Sequence, residues 1–115
     1  MLFRSRVNAA LTLAREFNCI VLLKGAGSVC SDGVHWSINA TGNAALSNAG
    51  QGDALAGMAI ALLAQGLNGL EAQQCAAWLH GKAADNWRAA HPAGIGLTAS
   101  EVIDLARDEL NQRVC

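Results

Sequence analysis

The sequence predicts an α/β fold with a few short strands and about four helices. Two observations carry that prediction. Apolar residues recur at the helical period of 3.6 in several segments, and a short unbroken apolar run, Ile20-Val21-Leu22-Leu23, sits between the first of these segments and a series of glycine turns.

Taken in order, residues 4–17 predict a helix whose inner face carries Val7, Ala10, Leu11, Ala14 and Phe17, with Asn18 as its stop. The run 20–23 predicts a strand covered on both faces, as in a parallel sheet. Lys24-Gly25-Ala26-Gly27 reads as a glycine turn, Ser28-Val29-Cys30 as a second strand, Ser31-Asp32-Gly33 as a tight turn and Val34 to Ile38 as a third strand. Asn39-Ala40-Thr41-Gly42-Asn43 is polar and turn-prone. A helix then begins near Gly50-Gln51-Gly52-Asp53 and runs to about Gln65. Leu55, Met58, Ile60, Leu62 and Leu63 make it apolar on nearly all sides, which predicts deep burial, and Gly66 closes it. A further helix spans about Leu70 to Ala90 and ends at His91-Pro92, with Trp78 and Trp87 read as packing residues. The last helix starts at Thr98, where Thr98-Ala99-Ser100-Glu101 fits a capping box, and its inner stripe is Val102, Ile103, Ala106 and Leu110. Three short strands are thin cover for this many apolar helices. Either the helices pack on one another, or the chain is part of a larger α/β unit.

Composition narrows the function classes. With 115 residues the chain suits a single domain. Hydrophobic residues at 52% against 15% charged exclude intrinsic disorder. A formal net charge of -1 leaves no electrostatic footprint for nucleic acid or for an anionic membrane. The most apolar run, Ala54 to Ala64, falls well short of the roughly 20 residues that cross a bilayer. The N-terminal residues carry arginines at 4, 6 and 15 and no sustained apolar core, so no signal peptide is expected and the protein is expected to be soluble and cytoplasmic. The four cysteines, at 19, 30, 75 and 115, form no CxxC pair, so reduced thiols are expected and no structural zinc. Cys19 and Cys75 are read as core residues, and Cys115 as a terminal thiol open to oxidation.

Three segments are candidates for chemistry. Gly50-Gln51-Gly52-Asp53 opens an apolar helix: glycines let backbone N–H groups approach an anion, and the helix N-terminus adds partial positive charge. Asp53 repels a phosphate. It therefore fits either a general base for a hydroxyl that attacks the phosphate, or simply a first-turn residue that complements the helix dipole. Lys24-Gly25-Ala26-Gly27-Ser28 is not a P-loop, since the lysine precedes the glycines. It is either a phosphate-reaching lysine at a strand end or a surface hairpin turn. His80-Gly81-Lys82-Ala83-Ala84-Asp85 places a glycine inside a helix, which marks close packing, and His80 either touches a ligand or sits partly buried.

Together these segments resemble a family. Val21-Leu22-Leu23-Lys24-Gly25, then Asn39-Ala40-Thr41-Gly42-Asn43, then Gly50-Gln51-Gly52-Asp53-Ala54-Leu55-Ala56-Gly57, then His80-Gly81-x-Ala83-x-Asp85 resembles the ADP-dependent NAD(P)H-hydrate dehydratases, the carbohydrate-kinase-like domains of the ribokinase-like superfamily. The GxGD element is shared with many ribokinase-like kinases, whereas the TGN element ten residues earlier and the HG-x-A-x-D helix point to the dehydratase branch. The resemblance implies the C-terminal portion of a ribokinase-like domain more than twice this length, with most of the central sheet lying in the other portion. It implies repair of NADHX and NADPHX with ADP or ATP. Asp53 would be the base that activates the substrate hydroxyl, the N–H groups of Gly50, Gln51 and Gly52 the anion hole, and Lys24, Gly25, Ala26, Gly27 and Ser28 the wall of the nucleotide site. Asn43 would lie near the phosphates, with Mg²⁺ neutralising charge. No metal ligands are assigned among the side chains. Two departures stand out. Ala45-Leu46 replaces the family's glycine-methionine pair, which puts the loop geometry in question, and Ser47-Asn48 replaces small residues. The uncovered helix faces of such a portion imply self-association or a complementing chain. Three alternatives stay open: a ribokinase-like small-molecule kinase portion, a nucleotide-binding module without turnover, and an inert helical piece.

Overall fold

The computed structural model describes residues 3–25 and 27–113. Its elements run α1 (Phe3–Phe17), β1 (Val21–Leu23), β2 (Val29–Ser31), β3 (Trp36–Ile38), a 3₁₀ turn (Ala44–Leu46), α2 (Gln51–Ala64), α3 (Gly69–Ala90) and α4 (Ala99–Arg113). The order is the one the sequence predicts, and each strand is shorter than expected or shifted by a residue. The turn between β2 and β3 occupies residues 32–35, one step beyond the predicted one. Asp32 Oδ1 accepts from the N–H groups of Val34 (2.9 Å) and His35 (2.6 Å) and closes it.

The three strands form one sheet in the order β1-β2-β3, antiparallel throughout, with Val21 opposite Ser31 and Val29 opposite Ile38. This corrects the parallel arrangement expected for 20–23. The physical reason is that a continuous apolar run reports that both faces of a strand are covered, not the direction of its neighbour. Both faces of β1 are covered here: Val21 and Leu23 pack with Val7, Ala10 and Val29 beneath α1, while Leu22 packs against the helical core on the other side. The strand is half-buried because β2 is its only partner among the described residues.

The larger core lies among α2, α3 and α4. Leu55, Ala59 and Leu62 of α2 meet Ala72, Ala76, Leu79, Ala83 and Trp87 of α3, and Val102 and Ala106 of α4. So many alanines at the contact let the helix axes approach closely. The helices do pack on one another, which answers the shortage of sheet. They do not cover one another fully. Ile60 is 66% exposed and Phe17 69%, and Leu63 and Ile103 are also open, so the expected deep burial of α2 and the full inner stripes of α1 and α4 are corrected. In each case the helix buries only the face that has a partner.

Local signals settle the helix ends. Asn18 takes a left-handed φ of 50° after α1, and Gly66 has φ 105° after α2. Thr98 and Glu101 form the expected reciprocal box: Glu101 Oε1 accepts from the Thr98 N–H (3.1 Å) and Thr98 Oγ1 accepts from the Glu101 N–H (3.3 Å). Cys19 is exposed, a correction of the core reading, because the chain turns outward at Asn18. Cys75 is half-buried and Cys30 is buried. Cys115 lies outside the described residues. Among the described residues no helix is long and apolar enough to cross a membrane.

Candidate functional site

A cavity of about 480 Å³ opens between the end of β1, the 39–47 segment, the start of α2 and the middle of α3. Lys24, Gly25, Gly27 and Ser28 line one side, Asn39 to Asn43 another, Gln51, Gly52 and Leu55 a third, and Ala77, His80 and Gly81 the floor. Nearly every segment that the sequence marks as chemical therefore meets at one place. Ala26 lies outside the described residues.

The start of α2 is shaped to present donors. Gly50 is its N-cap, at φ 86°, a conformation that side-chain-bearing residues rarely adopt, and no side chain caps the helix. The first intrahelical bond runs from the Ala54 N–H to the Gly50 carbonyl (3.0 Å), so the N–H groups of Gln51, Gly52 and Asp53 have no acceptor within the helix. Gly52 lies against the lysine. Lys24 Nζ donates to the Gly52 carbonyl at 3.0 Å, and a Cβ on Gly52 would stand only 3.1 Å from that nitrogen. A cation and a helix N-terminus thus share one rim, and their fields add.

The glycine turn after β1 is held from behind by Arg6 of α1. Its guanidinium donates to the carbonyls of Gly27 (3.0 Å), Leu23 (3.2 Å) and Lys24 (3.1 Å). Sequence reading passed over Arg6, since no local pattern links a helix residue to a turn 21 positions later.

The Thr41-Gly42-Asn43 loop is bolted to α3. Thr41 Oγ1 donates to the Trp78 carbonyl (3.0 Å) and Asn39 Nδ2 to the Ala77 carbonyl (3.0 Å). Asp85 accepts from the Gly42 N–H at 3.0 Å and from Asn43 Nδ2 at 2.9 Å. Asn43 Oδ1 accepts from the Ala45 N–H (2.9 Å), capping the 3₁₀ turn. Both ends of the Asn43 side chain are engaged inside the chain, so in this state it shapes the loop. Ala45 is buried in that turn, and Asn18 is the only non-glycine at positive φ among the described residues. The alanine that replaces the family's glycine therefore imposes no backbone strain. Asn48, the other departure, donates from Nδ2 to the carbonyls of Ala45 and Leu97, both at 2.9 Å.

Asp53 stands in the first turn of α2, exposed, and neither it nor Gly50 is among the cavity-lining residues. His80 is buried, 7% exposed, with Nε2 3.2 Å from Gln51 Oε1. Burial holds its pKa below the ordinary 6.5, the positive charge of Lys24 adds to this, and a hydrogen bond with the Gln51 backbone pulls the other way.

An αL glycine opening an uncapped helix beside a strand-end lysine, over a pocket floored by a second helix, is an arrangement of the ribokinase-like α/β type. The chain belongs to the carbohydrate-kinase family described as NAD(P)H-hydrate dehydratase, whose model matches residues 2–107. It is 35% identical over 108 residues to a bifunctional NAD(P)H-hydrate repair enzyme of Vibrio cholerae, a match that covers 94% of this chain and 22% of that one. It is 40% identical over 103 residues to an ADP-dependent (S)-NAD(P)H-hydrate dehydratase of Neisseria meningitidis, covering 89% of this chain and 35% of the relative. The structure superposes with a TM-score of 0.87, at 29% identity, on the ADP/ATP-dependent NAD(P)H-hydrate dehydratase of Bacillus subtilis co-crystallised with ATP and Mg²⁺, covering 95% of this chain and 39% of that one. The chain thus spans well under half the length of the relatives it matches.

Proposed function

We propose that this chain supplies the nucleotide-phosphate side of an ADP- or ATP-dependent dehydratase acting on hydrated NAD(P)H. The observation that carries the reading is the convergence of Lys24, the glycine turn and the uncapped start of α2 on one cavity. A terminal phosphoryl group bound there would meet the N–H groups of Gln51 and Gly52 and the Lys24 ammonium. Asp53 would take the proton of the substrate hydroxyl as its oxygen bonds to phosphorus and the nucleotide leaves. The phosphate formed on the ring carbon would then depart with its C–O electron pair, and loss of a ring proton would restore the double bond. Mg²⁺ would arrive on the nucleotide phosphates and neutralise their charge; the donors here, amides and one ammonium, suit an anion that brings its own counter-ion. Reduced nicotinamide and ADP as substrates fit a cytoplasmic site.

The position of Asp53, exposed and outside the cavity wall, favours a second reading for the chain in isolation: it binds nucleotide without turnover, and the hydroxyl substrate is held by residues of a complementing portion. Exposed Trp36, Ile38, Ile60 and Leu63 would serve such a docking or self-association.

Calorimetric titration of ADP and of ATP, each with Mg²⁺, tests the reading. Binding should weaken about tenfold in Lys24→Ala, a loss of about 1.4 kcal/mol. In a full-length domain Asp53→Ala should keep nucleotide binding and lose turnover. A folded chain that binds neither nucleotide overturns the proposal.

A further inference from the structure

We infer that His80 is a positioning residue for the anion site, acting through Gln51 and Asn48 along a hydrogen-bonded chain whose direction is set at its far end. The inference rests on the nucleotide-phosphate reading of the cavity for its purpose, but not for its geometry.

The carbonyl oxygens of Ala45 and Leu97 can only accept, so Asn48 must turn its NH₂ toward them, at 2.9 Å each. Its Oδ1 is then the acceptor for Gln51 Nε2, also at 2.9 Å. Gln51 is left with Oε1 facing His80 Nε2 at 3.2 Å. An oxygen there demands a donor, so the ring carries its proton on Nε2. No amide in the chain can flip without setting donor against donor or acceptor against acceptor. Gln51 and His80 are 4% and 7% exposed, so little water competes for the bond between them, while Asn48 at the far end is exposed.

The chain ties four places together: the middle of α3 at His80, the first residue of α2 at Gln51, the loop before it at Asn48, and the entry to α4 at Leu97. Gln51 is the point where this polarity meets function, because its backbone N–H is one of the donors at the rim of the cavity. With Nε2 protonated, the neutral ring's other nitrogen is an acceptor, which phosphate oxygens repel. His80 therefore serves the anion through Gln51 and not by contact. Asn48 makes the arrangement possible, and it stands where the family resemblance leads one to expect a small residue.

The test uses the chain with ¹⁵N-labelled histidine. Long-range proton–nitrogen spectra at neutral pH should show the Nε2–H tautomer for His80. His80→Leu should weaken ADP binding in the presence of Mg²⁺ about tenfold, and it should speed amide hydrogen exchange at Gln51 and Gly52. His80→Gln, whose amide can donate from the same position as Nε2, should restore both to within about threefold. An Nδ1–H tautomer, an imidazolium at neutral pH, or a folded His80→Leu chain with unchanged exchange at these amides overturns the inference. If the unmodified chain binds no nucleotide, the functional reading falls, while the tautomer and the exchange rates still decide this one. If His80→Leu does not fold, the tautomer of the unmodified chain decides it.

Discussion

Asp85 of α3 accepts the backbone N–H of Gly42 at 3.0 Å, 43 residues away, and with its other oxygen holds the Asn43 side chain. One carboxylate thus fixes the loop that walls the cavity. Hydrogen bonds to a charged acceptor contribute about 1.5–3 kcal/mol each, and Asp85 is only half-buried. Asp85→Ala should therefore destabilise the chain by about 2–3 kcal/mol in urea unfolding. Asp85→Asn, which keeps one acceptor, should cost clearly less. Equal losses for both variants would show that the loop does not depend on this pair.

Gly81 is where the same loop touches α3. A Cβ there would overlap Thr41 Oγ1 and stand 2.6 Å from the Thr41 carbonyl carbon and 2.8 Å from the Gly42 nitrogen. Alanine is otherwise the better helix former by about 1 kcal/mol. Gly81→Ala should nonetheless lower the melting temperature, by an overpacking cost of about 1–3 kcal/mol, and it should weaken nucleotide binding by moving the loop. A higher melting temperature would mean that the loop yields freely.

Acid should loosen the site through His80. An unfolded histidine titrates near 6.5 and the folded His80 below it, so between the two values the unfolded chain holds the extra proton. The contribution is complete above about 6.5 and is lost as pH falls through the folded value. Denaturation curves from pH 7.5 down to 5 should show falling stability, and the slope should be shallower in His80→Gln. Glu101 and Glu109, whose carboxyls are held low chiefly by hydrogen bonds from Thr98 and Arg113, add their losses at more acidic pH.

The described thiols should separate by reactivity. Burial pushes the Cys30 thiol up to about 11, whereas Cys19 is exposed. Mapped alkylation of the native chain should label Cys19 readily and Cys30 only after denaturation. Labelling of Cys30 at the same rate would place β2 at the surface.

Much of the architecture was legible because its signals are local. The Thr98–Glu101 box, the stop at Asn18 and the glycines at 50 and 66 each act within a turn, so their physics is complete inside a few residues. The candidate site was half legible for the same reason. Gly50 to Gly52 and the Lys24 turn announce themselves as donor-rich backbone, and Asp85 stands in the marked His80–Asp85 segment, but no local pattern says what Arg6, Asn48 or Asp85 holds. They act across 17 to 49 positions, and an arginine, an asparagine and an aspartate on a polar surface look alike until the chain is folded.

By itself the sequence determined the order and type of the elements, the helix ends and the family, because these rest on periodicity, capping and motif spacing. Only the tertiary structure decided that β1 runs antiparallel to β2, that Phe17, Ile60 and Ile103 lie open, and that Asn43 turns inward to Asp85. An apolar stripe states which face of a helix or strand avoids water. Which faces find cover, and which donor meets which acceptor, is set by partners distant along the chain.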